Sequence, residues 1–103
     1  MSDRILSCVG LCRKAGKLIV GTELTVEAIR GGKIKLALLS SDASRNTEKR
    51  IGDCCSYRQA ELIRLPYTSE ALGAAVGKAS TASAGITDVG FAEMIKKALQ
   101  EQH

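Results

Sequence analysis

The stretch Lys17-Leu-Ile-Val-Gly-Thr-Glu-Leu-Thr-Val-Glu-Ala-Ile-Arg-Gly-Gly-Lys-Ile-Lys-Leu-Ala-Leu-Leu39 holds three elements in close succession. Lys17 to Val20 is a short extended run. Gly21-Thr22-Glu23 reads as a helix start, with a hydroxyl cap and an acid in the first turn, where the helix dipole favours negative charge. That helix runs to about Arg30, and Gly31-Gly32 stops it. Ile34 to Leu39 reads as a buried strand, an apolar run broken only by Lys35 and closed by the polar Ser40-Ser41-Asp42.

The pattern continues on both sides. Between Asp3 and Ala15, the residues Ile5, Cys8, Val9 and Cys12 form a helical stripe that Ser2 can cap and Gly16 can end. Ser44 to about Arg58 is polar, with Ile51, Cys54 and Cys55 as its apolar content, and is expected to be helical. Leu62 to Leu65 is a short strand before Pro66. Thr68 to Val76 places Ala71, Leu72, Ala75 and Val76 on one helical face, ended by Gly77. The small residues of Ser80 to Thr87 suit either state, but their position between two helices argues for a last strand. Phe91, Met94, Ile95, Ala98 and Leu99 then form an amphipathic helix capped by Asp88. The order α-β-α-β-α-β-α-β-α predicts an α/β fold, a three-layer α/β/α sandwich with about five helices around a four-stranded, largely parallel or mixed sheet.

At 103 residues and 10.9 kDa the chain is expected to be one domain, residues 1–103, since single cores serve chains of about 100 to 200 residues. An apolar content of 45% and a charged content of 25%, with a single proline, fit a globule and exclude disordered or collagen-like chains. No run approaches the ~20 apolar residues that span a bilayer. Asp3 and Arg4 are followed by only eight uncharged residues before Arg13, which is no signal-peptide pattern. A cytoplasmic protein with no membrane partner is the expectation. In that reducing setting Cys8, Cys12, Cys54 and Cys55 are expected to be buried small hydrophobes, not disulfides or a zinc site, which favours Cys-x2-4-Cys knuckles in turns.

Charge is uneven along the chain. Residues 1–50 hold ten Lys/Arg against five Asp/Glu, and residues 51–103 hold five against six, so the excess of +4 lies in the first half. A domain of pI ≈ 9.0 built this way favours a polyanionic partner. Catalytic patterns, by contrast, fail. The single histidine, His103, is the last residue. Gly10 to Gly16-Lys17 has five intervening residues where a phosphate-binding P-loop needs four, with Leu18 in place of the metal-binding hydroxyl. Gly73-x3-Gly77-Lys78 is one residue short and is followed by Ala79. Asp42, at a strand end, is the best lone candidate for chemistry, although capping the third helix or the turn before it is the simpler role. A non-enzyme without metal or cofactor is expected.

The run from Ala15 to Asp42 resembles the signature of the kink-turn RNA-binding ribosomal protein superfamily of the L-seven-Ae and L-thirty-e types. Asp42-Ala-Ser-x-Asn-Thr47, Leu72-Gly-x-Ala-x-Gly-Lys78 and Ile86-Thr-Asp-x-Gly-Phe-Ala92 match it in the same order, most closely the bacterial YlxQ-like and YbxF-like members. The resemblance implies a non-catalytic, ribosome-associated RNA binder, monomeric, that recognises kink-turn-like internal loops with tandem G·A pairs, with ribosomal RNA as a candidate target. It also implies a site made by Gly21, Thr22, Glu23, Leu24, Thr25 and Glu27 at the second helix, with Lys78, Ala79, Ser80 and Thr81 on the loop after the fourth.

The chemistry suits that site. A helix N-terminus offers backbone amides to phosphate, Gly21 permits close approach, and Glu23 can accept from guanine N1 or N2. Thr22 or Thr25 can bond a base edge or ribose, and Lys14, Lys17, Lys33 and Lys78 can supply phosphate contacts. Two departures stand out. Glu27 occupies a position where many members carry lysine and Glu23 stands near where others have Asn or Lys, and Lys78 to Thr81 lacks their bulky aliphatics. The competing expectations are a protein-interaction module on the same fold, with ribosome-associated proteins as partners, and a small enzyme or nucleotide binder using Asp42 and the strand ends.

Overall fold

The computed structural model describes residues 3–101, so Ser2 and His103, assigned above as a cap and as the terminal histidine, lie outside the described residues. Its elements are α1 (Arg4–Lys14), β1 (Leu18–Val20), α2 (Thr22–Arg30), β2 (Leu36–Leu39), α3 (Arg45–Arg58), β3 (Glu61–Arg64), α4 (Ser69–Ala75), β4 (Ser83–Ile86) and α5 (Val89–Gln100). Among the described residues, no helix is long and apolar enough to cross a membrane.

The four strands form one mixed sheet in the order β1-β4-β2-β3. β4 runs antiparallel to both β1 and β2, and β2 pairs parallel to β3. Strand alternation divides the core into two halves. Leu18, Val20, Leu36, Leu38, Ala84 and Ile86 face a cluster shared with α1, α4 and α5. Ile19, Ala37, Leu39 and Leu62 face the other side, against Val26 and Ile29 of α2 and Ile51 and Cys55 of α3. Apolar residues on both faces explain why β2 reads as a continuous hydrophobic run.

Several boundaries differ from the sequence reading, each for a physical reason. Asp3 caps α1, its Oδ1 accepting from the amides of Ile5 at 3.0 Å and Leu6 at 3.1 Å. β2 begins at Leu36, because Ile34 leaves the sheet and fills the space above Gly85, where a Cβ would meet Ile34 Cδ1 at 2.5 Å. β4 is confined to Ser83–Ile86, because residues 77–82 are used to return from the far end of α4.

All four cysteines are free, with Cys12 and Cys55 buried and Cys8 and Cys54 partly so. Burial pushes the thiols of Cys12 and Cys55 up to about 11, which makes them packing groups rather than nucleophiles.

Candidate nucleic-acid interface

Because β1, β2 and β3 run in one direction and β4 in the other, one end of the sheet gathers the N-termini of α2, α3 and α4 with the segment before β4. Gly21 makes the turn from β1 into α2 at φ 101° and ψ 146°, a backbone that a residue with a Cβ enters only under strain. Its amide donates to the carbonyl of Ser83 at 3.2 Å, which pins α2 to β4.

Here the hydroxyl cap expected of Thr22 is corrected. Thr22 Oγ1 is engaged with Ser83 Oγ at 2.8 Å, and no side chain caps α2. The other four described helices are capped by Asp3, Ser44, Thr68 and Asp88. The leading amides of α2 are therefore left for solvent or a ligand, at the positive end of the helix dipole.

Glu23 stands exposed on that first turn, in a two-pronged pair with Arg50 of α3, Nη1 to Oε1 at 2.5 Å and Nη2 to Oε2 at 3.2 Å. The hydrogen bonds and charge of Arg50 hold the Glu23 carboxyl below its ordinary range. Arg50 was not foreseen as a member of this site, because it lies 27 residues further along the chain in a helix read only as polar. Leu24 beside it is 58% exposed, an aliphatic surface at the helix start that partly offsets the small residues of the loop.

Thr25 is corrected outright. It is fully buried among the core residues of α2, its methyl 3.3 Å from where a Cβ on Gly85 would stand, and its hydroxyl has no partner. On the first turn of the helix it falls on the inward face, so it offers nothing to a base or ribose. Glu27, two residues on, is exposed.

The second part of the site is the 77–82 segment. Gly73 lets it cross α4 closely, since a Cβ there would meet Ser80 Cα at 2.5 Å and its amide nitrogen at 2.7 Å. The amide of Lys78 donates to Gly73 at 2.8 Å, that of Thr81 to Ser69 at 2.9 Å, and that of Ser40 to Ala82 at 2.9 Å. Lys78, Ala79 and Ser80 are exposed as a result, whereas Thr81 is buried with its hydroxyl donating to the carbonyl of Ser83 at 2.8 Å. Asp42 is nearby but serves α4, not α3, accepting from Ser69 through its amide at 2.9 Å and its hydroxyl at 3.3 Å. Ser44 caps α3.

Three of the lysines assigned to this site are elsewhere. Lys17 precedes β1 and Gly21 follows it, which separates them by about 13 Å of extended chain. Lys14 ends α1 on the same side as Lys17, and Lys33 follows the C-terminus of α2, at the opposite end of that helix from Gly21. Strand direction alone carries this signal, because residues before and after one strand cannot share an end of the sheet. The structure thus brings together Gly21, Thr22, Glu23, Lys78, Ala79 and Ser80 and leaves out Lys14, Lys17 and Lys33.

Comparison with known proteins decides the family. The model of the ribosomal protein L7Ae/L30e/S12e/Gadd45 family matches residues 3–96. The chain belongs to this family. It is 35% identical over 98 residues to the RNA-binding protein YlxQ of Enterococcus faecium, covering 95% of this chain and 93% of that one. It is 30% identical over 95 residues to the large ribosomal subunit protein eL30 of Tetrahymena thermophila, covering 91% of each. A solved structure of a protein of unknown function from Bacillus halodurans C superposes with a TM-score of 0.89 at 31% identity, covering 96% of this chain and 99% of that one. Within the family, the resemblance drawn from Ala15 to Asp42 and from the two glycine-bearing motifs is sound, and Gly21, Gly73 and Gly77 in those motifs each have a backbone reason to be glycine.

Proposed function

We propose that this chain is a non-catalytic, cytoplasmic RNA-binding protein that recognises kink-turn-like internal loops with tandem G·A pairs, in association with the ribosome. The observation that carries the reading is the uncapped start of α2, with its free amides and the oriented Glu23 carboxylate beside the exposed Lys78-Ala79-Ser80. Amides and helix dipole suit a phosphate, and a fixed carboxylate suits the N1 and N2 hydrogens of guanine, which a sheared G·A pair turns outward. Membership in a family with relatives named for RNA binding and for the large ribosomal subunit supports the same conclusion.

The test is a titration of the protein against a kink-turn RNA and a control with its tandem G·A pairs replaced by Watson–Crick pairs, at about 0.15 M salt, where long-range attraction is screened. Selective binding to the kink-turn is expected. Equal, weak binding to both would overturn the reading and favour an interaction module, for which the groove between α1 and α4, lined by Leu6, Gly10, Leu11, Ala71 and Ala74, is the available surface.

A further inference from the structure

At the end of the sheet opposite the α2 N-terminus, basic side chains from three helix ends and two strand starts converge. Lys14 and Lys17 flank the close of α1, Arg30 and Lys33 the close of α2, Lys35 leads into β2, and Arg58 closes α3. The position of β4 in the sheet sets Lys17 and Lys35 on either side of it at this end. The Thr87 amide donates to the Lys17 carbonyl at 3.0 Å and the Lys35 amide to the Ile86 carbonyl at 2.7 Å, so Lys17 and Lys35 are two strand spacings apart, about 10 Å. Arg58 reaches back over α2, its Nε donating to the Arg30 carbonyl at 2.9 Å.

None of these six has a carboxylate partner among the described residues. The ion pairs join Arg4 to Glu101, Arg50 to Glu23, Arg64 to Glu48, and Lys96 to Glu61 and Glu93. Of the nearby acids, Glu61 is paired with Lys96, Asp88 accepts the Phe91 amide at 3.0 Å, and Glu27, one turn before Arg30, is exposed and joins none of these pairs. The helix dipole accounts for Lys14, Arg30 and Arg58, which sit in last turns. It does not account for Lys17, Lys33 and Lys35, which lie outside the helices.

We propose that this end is a second RNA surface, which holds a single-stranded segment by its phosphates while the start of α2 reads a folded loop at the other end. Two observations favour RNA over an acidic protein segment. Tyr57, 86% exposed, adjoins Arg58 on the last turn of α3 and offers a ring on which a base can stack. Lys35 and Arg58 line one open hollow with Gly32, Gln59, Ala60 and Glu61, and the Glu61 carboxylate is paired with Lys96, which leaves the two cations to a phosphate. The inference rests on the RNA-binding reading above, and gives the protein a bridging role between two RNA segments.

The experiment uses the full chain, first saturated with unlabelled kink-turn RNA and then titrated with a labelled single strand that cannot form a kink-turn. Capture of the second strand is expected. The combined variant Lys17→Ala, Lys33→Ala and Lys35→Ala should lower that capture at least tenfold and reduce the slope of log affinity against log salt by about 2, with the kink-turn affinity within about twofold of the parent. Arginine at the same three positions should restore capture, which separates charge from any loss of fold. The inference is overturned if the strand is not captured, if the alanine variant captures it as the parent does, or if poly-glutamate is captured and RNA is not. The two readings fail separately. Without discrimination between kink-turn and control in the first titration, the assignment of α2 falls, whereas discrimination without capture of the second strand removes only the present proposal.

Discussion

The Arg50 guanidinium grips the exposed carboxylate of Glu23 at the first turn of α2, and the pair works in both directions. Arg50 fixes where the carboxylate points, and Glu23 cancels a charge that would otherwise attract any phosphate. Glu23→Ala is therefore expected to lower affinity for a kink-turn RNA about tenfold while raising affinity for the Watson–Crick control, because Arg50 is released. An equal change for both RNAs would show that Glu23 reads nothing. The sign of the pH effect follows from the lowered carboxyl. A group held below its unfolded value adds stability at neutral pH and loses it as pH falls through the folded value. The stability gap between the parent and Arg50→Ala should accordingly narrow in denaturant titrations as the pH falls below the ordinary glutamate value of about 4.3. At this scale the sequence was half legible. Glu23 could be placed because first-turn acids have a local signature, whereas Arg50 could not, because nothing local marks a partner so distant in the chain. Thr25 misled for a different reason, since a threonine in a helix looks available until its face is known.

Among the elements, α4 and the returning 77–82 segment form the least forgiving contact. Gly73→Ala would gain up to about 1 kcal/mol in helix propensity. It would also drive a methyl to 2.5 Å from the backbone of Ser80, and overpacking against backbone that cannot rotate away costs about 1 to 3 kcal/mol. The clash wins. A fall in Tm of several degrees is expected, with weaker RNA binding as Lys78 to Ser80 shifts, and an unchanged Tm would show that the segment moves freely. In the same layer, Asp3 accepts from the Tyr67 hydroxyl at 2.6 Å in addition to its two helix amides. Asp3→Ala should cost about 1 kcal/mol in chemical denaturation, and Asp3→Asn less. Helix and strand identities were legible here because caps, glycine stops and apolar spacing are local. The length of β4 was not, since Ser80 to Thr87 takes its state from what lies against it.

Across the whole molecule, the net charge of +4 is distributed by topology, not by chain half. Near the start of α2, Arg50 and Arg64 are paired with acids and Arg45, Lys49 and Lys78 are not, while at the opposite end Lys14, Lys17, Arg30, Lys33, Lys35 and Arg58 have no ion pair among the described residues. Lys78→Glu should therefore weaken kink-turn binding more at low salt than at high salt, while Lys14→Glu should leave it nearly unchanged, and equal losses would show that the two ends act as one surface. The layer count was legible from alternation alone, which suits a largely parallel sheet as well as a mixed one, so the antiparallel direction of β4 was not. The separation of Lys14, Lys17 and Lys33 from Gly21 follows from strand direction and needed the strands to be set side by side.

The place of β4 between β1 and β2 also bears on how the molecule comes into being. Leu36 to Leu39 emerges from synthesis early, yet the strand that joins it to Leu18–Val20 arrives only with Ser83 to Ile86. Until then two apolar strands have open edges and nothing between them, and the loop that must close is long. Folding is thus deferred until Ser83 to Ile86 has been made, and a chain cut before residue 83 is expected to aggregate rather than form a smaller version of the same sheet.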